Sequence, residues 1–217
     1  MSELFSEVDE DLRREQLRKL WEKYSLLIIA VAVLIVVGVG GWRAYGYLEG
    51  KKATEAGAAF DRAAELVEQN KPAEAEAAFT KLAAEAPAGY RTLARLRAAG
   101  EAAKRDVGAA VKMYDDIAAD GSVGAPEQDL ARIHAGSLLL ETTPYDALLP
   151  KLEPATAAGR TYRHSARELL ALAAWKAGNV TAVRQWVETI SNDPETPSSI
   201  RTRAEALQAL LPPAAKS

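Results

Sequence analysis

Four alanines, Ala75, Ala110, Ala147 and Ala182, recur at separations of 35, 37 and 35 residues, and each has another sixteen residues before it, at Ala59, Ala94, Ala131 and Ala166. A period of this length marks a repeat architecture, in which one helical unit can bury its apolar face only by stacking on the next. In three of the copies an aromatic follows the second alanine by four residues (Phe79, Tyr114, Trp186), and in two a proline closes the unit (Pro87, Pro194). Antiparallel helices approach closely only where side chains are small, and an aromatic one turn along the same face fills the gap toward the next unit.

The order small, aromatic, proline resembles the tetratricopeptide helix-turn-helix, whose period is about 34 residues. The earlier helix of each pair is small again four residues on, at Ala63, Ala98 and Ala135, with Leu170 the bulky exception. Turn signals fall where hairpins need them: Asn70-Lys71-Pro72, Arg105-Asp106-Val107-Gly108, Thr142-Thr143-Pro144 and Gly178-Asn179. The third unit has Lys151 where the aromatic belongs and Pro150 inside its second helix, which predicts a short or kinked helix there. No alternating strand pattern occurs, so the expected fold is all-α, with an α-solenoid over 48–211 and a disordered tail over 212–217.

An apolar run from Leu26 to Trp42 meets the lower length limit for a membrane-spanning helix and extends to Tyr47 if Arg43 snorkels. A single N-terminal transmembrane helix is therefore expected over 25–47, flanked by Trp21 and Tyr24 on one side and Trp42, Tyr45 and Tyr47 on the other. A cleavable signal is disfavoured: the leader is long and acidic, and no small-x-small site follows the run. A twin-arginine signal at Arg13-Arg14 is disfavoured too, because Glu15-Gln16 stand where apolar residues are wanted. Over residues 1–24, Leu17, Leu20, Trp21 and Tyr24 space as a short amphipathic helix lying at the membrane surface before the chain turns in. Arg13, Arg14, Arg18, Lys19 and Lys23 outnumber the bases just after the span, which predicts an N-terminus in the cytoplasm and everything after Lys51 on the far side of the membrane. Gly40 and Ala44 form a small-xxx-small pair of the kind found at helix contacts in bilayers.

Formal net charge is −3 overall and roughly −1 after residue 50, without a basic stripe interleaved with aromatics, so no nucleic-acid partner is expected. Catalytic chemistry is poorly supplied. There is no cysteine, and His134 and His164 sit in different repeats, where they read as polar positions on first helices. Asp115-Asp116, with Glu65 and Glu68, read as solvated helix faces. Gly121-Ser122-Val123-Gly124 lacks the lysine of a phosphate loop and reads as a connection. No enzyme activity, cofactor, metal or small-molecule substrate is expected.

Arg95, Arg132 and Arg167 occupy the same position, just after the first alanine, in units two to four. In repeats of this kind that position faces the concave groove, where three arginines would suit a carboxylate or an acidic peptide. Four residues on, Ala99, Gly136 and Ala171 replace the asparagine that carboxylate-clamp repeats use. The competing reading pairs these arginines with neighbouring acids such as Asp129 and Glu168.

A charged leader, one span ending in Gly41-Trp42-Arg43, and repeats carrying Tyr90-Arg91-Thr92-Leu93-Ala94 and closing with Gly178-Asn179-Val180-Thr181-Ala182 resemble the YfgM-type ancillary subunit of the bacterial Sec (SecYEG) translocon. The resemblance implies an inner-membrane protein whose periplasmic repeats associate with the Sec translocon and with periplasmic chaperones, non-enzymatically, to help exported chains fold. A related repeat domain occurs in a periplasmic cell-division coordinator, so an envelope scaffold for assembly or division is the alternative. Neither the oligomeric state nor pairing of the span follows from the sequence.

Overall fold

The computed structural model describes the backbone of residues 2–212 and their side chains except those of 2–17, 19, 20 and 28. All regular elements among the described residues are helical: α1 (Ser2–Glu68), α2 (Pro72–Glu85), α3 (Ala88–Ala102), α4 (Val107–Ala119), α5 (Ala125–Leu139), α6 (Tyr145–Leu152), α7 (Arg163–Lys176), α8 (Val180–Asn192) and α9 (Ser198–Ala209). The chain divides into two compact units, Met1–Lys52 and Ala53–Ser217.

In the first unit, α1 carries an apolar surface that is exposed among the described residues: Leu26 is 83% and Leu34 73% exposed. By length and composition it is apolar enough to cross a membrane. Its helical backbone continues through residues 24 and 25, where the leader was expected to turn into the bilayer. Of the expected amphipathic face, the side chains of Leu17 and Leu20 lie outside the described residues, as does the tail beyond Pro212.

The second unit opens with the last turns of α1. Phe60 meets Phe79 of α2 edge to face, with ring centroids 5.2 Å apart, above Ala56, Ala63 and Ala75. The small positions do what the repeat requires. Ala75, Ala94, Ala110, Ala131 and Ala166 have no exposed surface, and Ala63, Ala98 and Ala135 almost none. Phe79 and Tyr114 fill the gaps between successive pairs, each burial stabilising by roughly 1.5–3 kcal/mol. A third cluster gathers Leu148, Leu152, Leu170, Val183, Val187 and Ile190 with Ile200 and Leu207 of α9.

Hairpin ends follow local chemistry. Asn70 and Gly178 take positive φ (56° and 69°) where α1 and α7 stop, conformations that asparagine tolerates and glycine adopts without strain. Asp106 and Asn179 cap α4 and α8 by accepting from the Ala109 and Ala182 amides, both at 3.0 Å.

The third repeat departs as its prolines predict. α6 has only 8 residues with Pro150 inside it, and a 3-10 turn over Glu153–Ala155 follows. One expectation is corrected here: Ala147 is exposed rather than buried, and Leu148 and Leu152, both without exposed surface, take the places of the small and aromatic residues. The register in α6 is therefore shifted by one residue, which turns Lys151 outward to pair with Asp115 of α4 at 2.6 Å.

Candidate functional site

The three expected groove arginines come to corresponding places, and each is engaged within the chain. From α3, Arg95 Nη1 donates to Asp120 Oδ2 at 2.6 Å and Nη2 to the Asp116 carbonyl at 3.3 Å. From α5, Arg132 Nη2 donates to the Ala118 carbonyl at 3.0 Å and Nη1 to Asp129 Oδ1 at 3.2 Å. Both guanidiniums thus meet the C-terminal end of α4, where unpaired carbonyls and the helix dipole favour cations. From α7, Arg167 donates to the Thr156 carbonyl at 3.0 Å and to Asp193 Oδ2, at the end of α8, at 2.8 Å. Of the two acids expected as partners, Asp129 does pair with Arg132, whereas Glu168 pairs with Arg203 of α9.

Two buried or half-buried carboxylates organise this region. Asp129 is 1% exposed, and Arg160 grips it with a fork, Nε to Oδ2 at 2.6 Å and Nη2 to Oδ1 at 2.5 Å. That fork holds the long connection after the 3-10 turn against α5. Asp193 accepts from Arg163 Nε at 2.9 Å, from Arg167 and from the Glu195 amide, and these cations hold its carboxyl well below the usual carboxylate range. Asp120 is lowered to about 2, first by the Ser122 hydroxyl and then by Arg95.

The histidines differ from each other. His134 stacks on Tyr114 with centroids 5.2 Å apart, and burial lowers its pKa. His164 is 8% exposed, so it is a packed side chain rather than a polar surface position. Its Nδ1 lies 3.0 Å from Thr196 Oγ1, whose own proton goes to the Ile190 carbonyl at 2.7 Å. Nδ1 is then the donor to Thr196 Oγ1. Burial above all, and the charges of Arg163 and Arg167, push its pKa down.

Sequence reasoning missed Arg160, Arg163, Asp193 and Thr196. Asp193 carried a readable signal, standing before Pro194 at the end of a predicted helix. Arg160 carried none, because its partner lies 31 residues earlier.

What remains for a partner is surface. An open depression of about 200 Å³ lies where α6 is cut short, bordered by Asp115, Ala118, Arg132, Ala135, Pro150 and Lys151. Among first helices, Leu93 of α3 and Trp175 of α7 are half-exposed apolar groups, with Arg97 and His134 also at the surface. Among the described residues no three His, Cys, Asp or Glu side chains gather as a metal site.

A family model described as "Tetratricopeptide repeat-like domain" matches residues 18–186, and the chain belongs to that family. No curated protein and no solved structure matches it.

Proposed function

We propose that this tetratricopeptide-like chain is a membrane-anchored adaptor: the apolar part of α1 fixes it in a bilayer and the repeats bind other proteins. The observation that carries the reading is the joining, in one chain, of an uncovered apolar helix to a protein-binding repeat fold. Anchoring raises the local concentration of the repeats beside a membrane-embedded partner, so modest intrinsic affinity suffices. On the repeats, Trp175 and Leu93 offer apolar anchors of the kind that concentrate binding energy, and Arg95 and Arg132 are the part-exposed cations an acidic segment would meet.

The charge bias around the span supports an inner-membrane, single-pass arrangement with a cytoplasmic N-terminus and periplasmic repeats. With the resemblance described above, it supports a role in translocon-linked export and chaperoning of envelope proteins. The alternative is a scaffold for envelope assembly or division. Cross-linking of the full chain in native membranes, followed by identification of the partners, decides between them. Recovery of translocon subunits supports the first, and recovery of assembly or division components without translocon subunits overturns it.

A further inference from the structure

The apolar surface of α1 is interrupted once near its distal end, by Arg43. Its helical neighbours one turn away are Val39, Gly40, Gly46 and Tyr47, so no carboxylate stands within a turn on either side. The nearest acid, Glu49, accepts a hydrogen bond from Tyr45 Oη at 3.1 Å on another strip of the helix. Around Arg43 the helix is bare: Trp42 is 82% and Tyr47 75% exposed, and a Cβ built on Gly40 or Gly46 would meet nothing within 4 Å.

The length of the apolar run makes this charge decisive. Leu26 to Trp42 rises about 25 Å, less than a hydrocarbon core of about 30 Å, whereas continuing to Leu48 gives about 34 Å. The extra turn is apolar and aromatic apart from Arg43, so Arg43 determines whether the bilayer boundary falls before or after it. A guanidinium at that depth needs a counter-charge that its own helix does not supply. Its planar fork matches a phosphate bidentately, and the flanking glycines leave the approach open.

We infer that Arg43 is a lipid-binding site: its guanidinium takes the phosphodiester of a phospholipid headgroup at the C-terminal end of the apolar helix and thereby sets the depth of the anchor. This rests on the reading of α1 as a membrane anchor. The bilayer boundary then falls within a turn of Arg43, and the aromatic cluster Trp42, Tyr45 and Tyr47 lies among the headgroups.

The chain has no cysteine, so single substitutions report position cleanly. The full chain carrying Val36→Cys, Gly46→Cys or Lys52→Cys is reconstituted into phosphatidylcholine vesicles, with a charged maleimide on both sides of the bilayer. Lys52→Cys and Gly46→Cys are expected to react at similar rates and Val36→Cys at least tenfold more slowly. Adding Arg43→Leu should slow Gly46→Cys at least fivefold and leave Lys52→Cys unchanged. In vesicles of an uncharged, phosphate-free glycolipid the guanidinium has no anion at headgroup depth and moves out into water, so a further Gly40→Cys variant with native Arg43 should react at least fivefold faster there than in phosphatidylcholine. Arg43→Lys in phosphatidylcholine should fall between native and Arg43→Leu. A Gly46→Cys rate that ignores Arg43→Leu, or a Gly40→Cys rate that is equal in the two lipids, overturns the headgroup site. Rapid reaction of Val36→Cys instead overturns the anchor on which it rests.

Discussion

Gly136 of α5 lies so close to Leu152 of α6 that a Cβ built on the glycine would sit 2.7 Å from Leu152 Cδ2 and 3.1 Å from its Cγ. Leu152 has no exposed surface and lies in the core cluster with Leu148 and Leu170. The shortened α6 brings a leucine where other repeats bring an aromatic, and a residue without a side chain admits it.

Gly136→Ala sets two effects against each other: alanine favours a helix interior by roughly 0.5–1 kcal/mol, and overpacking costs about 1–3 kcal/mol. The clash involves both methyls and the branch carbon, so net destabilisation of about 1 kcal/mol or more is expected in chemical denaturation. Leu152→Ala alone should cost about 2–5 kcal/mol. The two together should cost clearly less than their sum. Additive losses would show that the pair does not touch.

The shifted register of α6 gives a sharper contrast. Leu148→Ala should destabilise by about 2–5 kcal/mol, whereas Ala147→Leu, on the exposed side, should stay within about 0.5 kcal/mol. Ala110→Trp, at a position with no exposed surface in α4, should cost about 1–3 kcal/mol or more. If Ala147→Leu proved the costly change, the alanine spacing and not the observed packing would describe the third repeat.

That contrast shows what the sequence made legible. Small residues at Ala75, Ala110 and Ala182 and aromatics at Phe79 and Tyr114 act through local helix periodicity, which a single sequence displays. The short α6 was equally readable, since Pro150 acts on its own backbone. The slip at Ala147 was not, because it arises from the burial of Leu148 and Leu152, the latter against Gly136 of another helix. Likewise the spacing of Arg95, Arg132 and Arg167 showed a ladder but not its engagement. The acceptors at the end of α4 and at Asp193 come near only in the folded stack.

Charge changes at the buried pair should therefore act on folding first. Asp129→Ala leaves Arg160 and Arg132 without their shared carboxylate, and about 2–4 kcal/mol of destabilisation is expected. Arg95→Glu, Arg132→Glu and Arg167→Glu combined should lower the unfolding midpoint substantially, Arg167 contributing most because its side chain is 8% exposed. A triple variant as stable as the native chain would show that the helix-end contacts are dispensable.

Acidification should unfold the repeats in two stages. His164 faces Arg163 and Arg167 of α7 and Asp193, Glu195 and Thr196 of the α8–α9 connection, and its folded pKa is depressed, as is that of His134. Below the unfolded value near 6.5 the unfolded chain binds more protons, so stability is full above that pH and falls as pH drops through the folded pKa values. Asp193 and Asp120, also depressed, contribute stability that is full above about pH 4 and lost below it. Denaturation of the full chain in detergent at pH 7, 5.5 and 3.5 checks this. His134→Asn with His164→Asn should flatten the change between pH 7 and 5.5 while leaving the steeper loss below pH 4. Stability that rises between pH 7 and 5.5 would contradict the depressed histidines.

The proposed function assigns recognition to the repeats and location to the span, which predicts that the two are separable in the full chain. A phosphatase fused after Ser217, active only if exported, should be active, and reversing Arg18, Lys19 and Lys23 to acids should weaken that activity by removing inside charge. On the adaptor reading, replacing residues 25–47 with an unrelated span should keep most cross-linking to partners. Trp175→Ala, at a half-exposed side chain, should keep the unfolding midpoint within the range of a surface change while reducing cross-linking several-fold. Cross-links that persist in Trp175→Ala and in a Leu93→Ala companion but vanish with the exchanged span would put recognition in the bilayer, and the adaptor reading of the repeats would fail.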